Sequence, residues 1–242
     1  MKRKQEWIEA VILLFCVGIL FYSLFYLQGK EYYAISLAII LSGVILFLLK
    51  FENRKPSAAE LTIISVMCAL AVASRVSFFF LPEVKPMAAV VIIVGISLGA
   101  ETGFITGAMS AFLSNFYFGQ GSWTPFQMFA LGLVGFFSGI AFRRIPVNKF
   151  TLCLYGVGSV LVLYGGIVDI NTLFYYEGEN TRMAVLAVYG ASFPFNLAFG
   201  ISTAVFLVIL HKPVLRKLAR VKRKYGLIDI DHSAKQMEWN MK

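Results

Sequence analysis

The feature that most constrains this chain is a series of long apolar runs that hold almost no charge. Only 14% of the 242 residues are charged, whereas a soluble domain carries about 25%, and the mean hydropathy is +0.76. Too few polar side chains remain to cover a globule in water. Because the runs are long and lack the two-residue alternation of barrel strands, they predict an all-α integral membrane protein.

Breaks between these runs predict eight membrane spans. A bilayer core needs about 20 apolar residues per helix, or fewer where the helix is buried among others. The fourth run is short, and we expect it to be tilted, kinked or re-entrant. The predicted spans are 8–27, 32–50, 60–81, 86–98, 101–118, 125–142, 150–170 and 184–211.

The basic residues lie on one side of this predicted topology. With the N-terminus inside, the inner segments hold 18 of the 22 Lys and Arg, and the outer segments hold three. This asymmetry is typical of cytoplasmic membrane flanks and predicts that both termini are cytoplasmic. It also explains the net charge of +9 without a nucleic-acid partner.

The composition divides the chain into three parts. A polar connector with a proline separates a plain two-helix transmembrane hairpin, residues 1–55, from a six-helix core, residues 56–212. The remainder, 213–242, is a basic cytoplasmic tail. Its segment PVLRKLARVKRKYG predicts an amphipathic helix that lies along the inner leaflet and is attracted to anionic lipid.

Motifs for catalysis are missing from the sequence. It has no phosphate-binding GxxxxGK[ST] loop and no HExxH, and its two histidines both lie at or beyond position 211. The three cysteines have no metal-ligand spacing. We therefore expect no enzyme, no metal and no cofactor. Two functions remain possible for the chain: a solute-binding subunit that a partner energises, or a structural membrane subunit.

Small residues recur at helical spacing in two spans. Ala69 and Ala73 lie four residues apart on one face, which suits either packing within this bundle or docking of a partner subunit. In the fifth span, the repeat favours tight internal helix packing; its members are Gly99, Gly103, Gly107 and Ala111.

Several polar and aromatic residues near the outer ends of spans have two interpretations each. Arg75 either reaches the outer interface or pairs with Glu83 or Asp169. Phe79 belongs to an aromatic run that suits an interfacial belt or a pocket wall. Asn196 follows Pro194 inside the last span, where a proline predicts a simple bend or a pocket wall.

The segment FGQGSWTPFQM, residues 118–128, is predicted to lie on the outer face between two spans. Thr124 as N-cap and Pro125 in the first turn would start the next helix. Gln120, Trp123 and Gln127 are not explained by that role. With Gly119 and Gly121 they suit a concave site for a large neutral ligand. Asn115, just before the segment, either satisfies the loop or faces that ligand.

Residues 57–212 resemble the substrate-binding subunits, or S components, of energy-coupling-factor (ECF) transporters. The resemblance lies in Ala69 and Ala73, which match the docking pattern of such subunits, and in SNFYFGQGSWTPFQMFALGLVGF, residues 114–136, which is similar to a cobalamin-type branch. It implies a multi-pass subunit in a bacterial plasma membrane. The subunit would bind a vitamin from outside, and the branch predicts cobalamin or a related corrinoid as that vitamin. It also implies toppling on a coupling protein driven by two cytoplasmic ATPases.

The alternative to this S component is a non-transport membrane scaffold or assembly subunit. On the S-component interpretation, we expect a substrate site formed by the outer loops and outer helix ends. Its predicted residues are Phe79, Asn115, Phe118, Gln120, Gly121, Trp123, Thr124, Gln127 and Asn196.

Overall fold

The computed structural model describes residue 18 and residues 30–53, 56–173 and 181–225. The chain is 86% helical and forms no strand within these ranges, which confirms the predicted all-α class. The first predicted span, 8–27, lies outside the described residues except for Gly18, so the eight-span count and the cytoplasmic termini stay predictions.

Eight helices follow one another through the described residues, and each of the second to eighth predicted spans falls on one or two of them. A π-helical turn, Val160–Gly165, interrupts the seventh predicted span and divides it into two helices. The helices are α1 Lys30–Asn53, α2 Ala58–Ser77, α3 Met87–Leu98, α4 Ala100–Phe118, α5 Thr124–Ala141, α6 Lys149–Ser159, α7 Gly166–Leu173 and α8 Thr181–Lys224.

Four segments are long and apolar enough to cross a membrane by length and composition. They are Ala58–Ser77, Thr124–Ala141, Lys149–Leu173 and Arg182–Lys224. Leu37–Leu49 and Met87–Leu98 are shorter apolar helices. Several apolar helices in one bundle agree with the predicted multi-pass membrane protein.

Helix α3 forms the centre of the bundle. It is apolar on every side, every residue from Met87 to Ser97 is buried, and α2, α4, α5 and α8 pack around it. Its 12 residues rise only about 18 Å, less than a bilayer core of about 30 Å. The predicted short span is therefore a central helix surrounded by longer ones.

Glycines bring the backbones of α3, α4 and α5 into direct contact. A Cβ at Gly103 would lie 2.8 Å from both the carbonyl carbon of Gly135 and the Cα of Gly95. A Cβ at Gly107 would lie 2.7 Å from the carbonyl carbon of Leu131. The predicted role of the small-residue repeat in internal packing is confirmed at these two positions.

Helix α1 packs chiefly against α4 and α5 through aromatic contacts. The ring of Phe47 stacks on Phe104 with 3.9 Å between centroids and meets Phe136 edge-on at 5.3 Å. Gly43 leaves room for the ring of Phe129. The second helix of the N-terminal hairpin is therefore part of the packed bundle.

Helix α8 continues through Pro213 to Lys224 without a break. The basic segment of the tail is helical, as predicted, but it extends α8 instead of forming a separate surface helix. Leu215 and Leu218 are buried, and the Nζ of Lys222 donates to the carbonyl oxygen of Ser97 at 2.7 Å. Contact of this segment with anionic lipid stays a prediction.

Replacing Gly103 with alanine should destabilise the bundle, because the added methyl group would force α4 away from α3 and α5. We expect a loss of about 1–3 kcal/mol, measured as a lower Tm in detergent. Gly158→Ala is the matched control, since nothing lies within 4 Å of a Cβ there and alanine favours a helix. Equal Tm values for the two variants would contradict the close backbone contact.

Candidate functional site

The buried side chain of Asn115 joins three helices at the end of α4. Its Oδ1 accepts a hydrogen bond of 3.0 Å from Nη1 of Arg75 in α2. Its Nδ2 donates to Oγ1 of Thr124 at 3.1 Å and to Oε1 of Gln127 at 2.8 Å, both in α5. An amide in a low-dielectric setting is costly unless both its ends are bonded, and here they are.

A second set of hydrogen bonds folds the loop between α4 and α5. The Thr124 hydroxyl donates to Oε1 of Gln120 at 2.9 Å and accepts from the backbone N–H of Gly121 at 3.2 Å. Nε2 of Gln120 donates to the carbonyl oxygen of Phe112 at 3.1 Å. These bonds, those of Asn115 and a bond from Arg75 to Ser114 form one continuous set. We call it the outer network: Arg75, Ser114, Asn115, Gln120, Thr124 and Gln127.

The predicted helix start is wrong by one residue. The first residue of α5 is Thr124, and Trp123 occupies the N-cap position without a side-chain cap bond. Pro125 lies in the first turn, as predicted. The Thr124 hydroxyl is directed back to the loop instead, because Gln120, Gly121 and Asn115 all bond to it.

Both loop glycines have a defined structural reason. Gly119 has a φ of 101°, a conformation that strains any residue with a side chain. Gly121 faces the indole of Trp123, and a Cβ there would lie 2.7 Å from the ring atom Cε3. The loop therefore holds the indole against its own backbone, with 38% of Trp123 and 37% of Phe118 still exposed.

Arg75 binds neutral groups and not the carboxylates that the sequence suggested. Its Nη1 donates to Oγ of Ser114 at 2.5 Å as well as to Asn115, and the guanidinium lies 4.3 Å from the ring centroid of Phe118. Glu83 instead pairs with Nζ of Lys85 at 2.7 Å. The predicted pairing of Arg75 with Glu83 or Asp169 is therefore corrected.

A second polar cluster joins α7 to α8. Asp169 is 7% exposed, and its Oδ2 accepts hydrogen bonds from the Ser192 hydroxyl and, at 3.0 Å, from Nδ2 of Asn196. Gly165 makes room for Asn196, since a Cβ there would lie 2.6 Å from Nδ2. Asp169 is therefore buried between two helices.

The sequence held one signal for this cluster. Ser192 and Asn196 are four residues apart, so both lie on one face of α8 and can bond the same carboxylate. The π-helical turn before α7 had no signal that we recognised. Such turns occur often at functional sites, because they rotate the residues that follow.

A third set of contacts surrounds the Phe199 ring of α8. Tyr164, in the π-helical turn, meets this ring edge-on with 5.1 Å between centroids. Nζ of Lys85 lies 5.4 Å from the same ring, and the Lys85 backbone N–H donates to Oγ of Ser202 at 3.2 Å. These contacts join the π-helical turn and the loop before α3 to α8.

The structure brings most of the predicted site residues together. The outer network or its loop contains seven of them: Asn115, Phe118, Gln120, Gly121, Trp123, Thr124 and Gln127. Asn196 belongs to the Asp169 cluster. Phe79 is 64% exposed and its ring meets Phe80 at 6.1 Å. The predicted set of site residues did not include Arg75, Tyr164 or Asp169, which the structure places in this region.

The chemistry of this region is that of recognition. It offers amides, hydroxyls, one guanidinium and exposed aromatic faces. Among the described residues, no group of three His, Cys, Asp or Glu side chains could hold a metal ion. His211 is far along α8, where Nδ1 lies 2.8 Å from the carbonyl oxygen of Leu207.

Comparison with known proteins gives one match. Residues 55–217 match the model of the family described as the ECF-type riboflavin transporter, S component. No curated protein and no solved structure matches the chain. The match begins after α1 and ends within α8, so it covers all the residues of the outer network and the Asp169 cluster.

The Asn115–Gln127 hydrogen bond should show energetic coupling. Asn115→Leu and Gln127→Leu should each cost about 1–3 kcal/mol, because each leaves a partner unsatisfied. The double variant should cost less than the sum by at least about 0.5 kcal/mol, measured by unfolding in detergent.

Asn115→Leu combined with Asn148→Ala is the control for this cycle. Asn148 caps α6 through a separate capping box. That pair should be additive. Additive costs for Asn115 and Gln127 would contradict the outer network.

Proposed function

The chain belongs to the family of ECF-type riboflavin transporter S components, and on this premise we propose that it captures a flavin from outside the cell, at the outer face of the plasma membrane. Membership makes it a membrane-embedded, vitamin-binding transporter subunit and not an enzyme. The predicted S-component identity is confirmed at this level. The predicted cobalamin-type branch receives no support, because the family that matches is riboflavin-type.

The observation that carries the flavin proposal is the pair of aromatic surfaces beside the outer network. The Trp123 ring is fixed against Gly121, and Phe118 is stacked on Arg75; both remain more than one-third exposed. Flat rings with amides and a guanidinium beside them suit a planar heteroaromatic ligand with polar edges. A flavin has this chemistry.

The remaining predicted site residues complete this proposal. Asn196 is oriented by its bond to Asp169, which leaves its own Oδ1 as an acceptor for the ligand. Phe79 is exposed at the end of α2 and would add an apolar wall. Asn115, Gln120, Thr124 and Gln127 bond to one another and would shape the site as well as contact the ligand.

We also propose that α2 docks on the coupling protein of an ECF module through Ala69 and Ala73. Both alanines are exposed, as are Val66 and Leu70 beside them. Since α1 packs chiefly on α4 and α5, α1 leaves this face of α2 uncovered. Two cytoplasmic ATPases would supply the energy, because the chain has no phosphate-binding loop of its own.

Purified protein should bind riboflavin in preference to other vitamins. Native mass spectrometry against a vitamin panel that includes riboflavin and cobalamin should show a one-to-one riboflavin complex. Trp123→Ala should weaken binding about tenfold, as expected for loss of one aromatic contact.

Phe150→Ala is the control for that substitution. Phe150 is 75% exposed but lies in the first turn of α6, close to the predicted cytoplasmic segment 143–149. It should bind like the wild type. A cobalamin complex would restore the corrinoid prediction, and no complex with any vitamin would favour the scaffold alternative.

Bulky side chains on the α2 face should block docking. Ala69→Trp with Ala73→Trp should abolish co-purification with coexpressed coupling protein and ATPases, because a small-residue face is needed for close helix approach. Riboflavin binding should remain.

The matched control is Ala187→Trp with Ala191→Trp. These two alanines are also exposed and four apart, but they lie on α8. Intact complexes from the α2 variant, or equal loss from both variants, would overturn the docking proposal.

A further inference from the structure

Arg75 is a partly buried cation in the membrane span α2 that has no carboxylate partner among the described residues. We infer that Arg75 binds the carbonyl-bearing edge of a planar ring ligand and is a specificity-determining residue of the site. This inference rests on the proposed vitamin-binding function, and it assigns a role to a residue that the predicted set of site residues did not include.

The Arg75 guanidinium has N–H donors that make no hydrogen bond to the described residues. It carries five N–H donors in a fixed fork, and the bonds to Ser114 and Asn115 use Nη1 alone. Nε and both hydrogens of Nη2 make no hydrogen bond to the described residues. Donors held in a partly buried position cost free energy unless an acceptor reaches them, so a ligand acceptor would relieve that cost.

The two carboxylates that the sequence offered to Arg75 have other partners. Glu83 pairs with Lys85 at 2.7 Å, and Asp169 accepts from Ser192 and Asn196. The guanidinium fork is therefore open to an acceptor from outside the described residues.

The fork is held in place before any ligand arrives. Phe118 covers the guanidinium at 4.3 Å, and Ser114 and Asn115 fix Nη1. A preorganised fork loses little side-chain entropy on binding and suits two neighbouring acceptors. Carbonyl oxygens on a ring edge present such acceptors in one plane.

A phosphate also offers acceptors to a guanidinium fork. The experiment therefore includes a phosphorylated ligand beside two neutral ones.

The test compares wild type, Arg75→Lys and Arg75→Gln in detergent with three flavins. Riboflavin has ring and ribityl chain, lumiflavin has the ring alone, and flavin mononucleotide adds a phosphate. We expect Arg75→Lys, which keeps the charge but loses the fork, to raise the Kd about tenfold, and Arg75→Gln about 100-fold. The losses should be equal for riboflavin and lumiflavin.

A readout that a structural role would not move is the response to thioflavins, in which sulfur replaces one ring carbonyl oxygen. If Arg75 binds that oxygen, the losses of binding free energy caused by Arg75→Lys and by the oxygen-to-sulfur change should be non-additive. An arginine that only supports Asn115 would give additive losses. Lys149→Gln, at an exposed position in the first turn of α6, is the control for charge and should leave every Kd unchanged.

Each result separates this inference from the flavin proposal. Riboflavin binding by the wild type with an unchanged Kd in both Arg75 variants, or additive thioflavin losses, overturns the inference alone. A loss confined to flavin mononucleotide overturns the carbonyl assignment in favour of a phosphate. A wild type that binds none of the flavins overturns the flavin proposal and this inference together.

Discussion

The antiparallel contact between α4 and α5 fixes the position of everything on the outer side. Along this contact Gly103 meets Gly135, and one helical turn along α4 leads to Gly107 against Leu131, one turn back along α5. Continued in the same register, two further turns bring Asn115 opposite Thr124 and Gln127. The glycines thus set the close separation and the register in which the amide of Asn115 meets its partners.

The outer side then divides into a frame and a set of surfaces. Asn115, Gln120 and Thr124 each use both their donor and their acceptor atoms in hydrogen bonds to the protein, so they hold the loop in shape. Trp123 and Phe118 present exposed faces. The same short motif supplies both, which explains why it combines glycines, amides and aromatics in so few residues.

The sequence predicted the parts of the fold that depend on local pattern. Apolar runs located the helices, the glycine spacing on α4 indicated internal packing, and the loop motif gathered seven neighbouring residues. It could not predict which acceptor Arg75 would find, because Ser114 and Glu83 are equally plausible until α2 and α4 are placed. Thr124 was misassigned as a cap because its hydroxyl has three competing partners in the fold. In the proposed site Asn196 comes from α8, which lies outside the motif.

The unbroken course of α8 has a mechanical consequence. Its 44 residues extend about 66 Å in all, and the part from Asn196, bonded to Asp169, to Lys222, bonded to Ser97 at the end of α3, spans about 39 Å. Over that part, a tilt of about 5° displaces the far end by roughly 3 Å. A tilt of α8 at the Asp169 cluster would therefore shift Lys222 relative to Ser97, so this helix couples the two ends of the bundle mechanically.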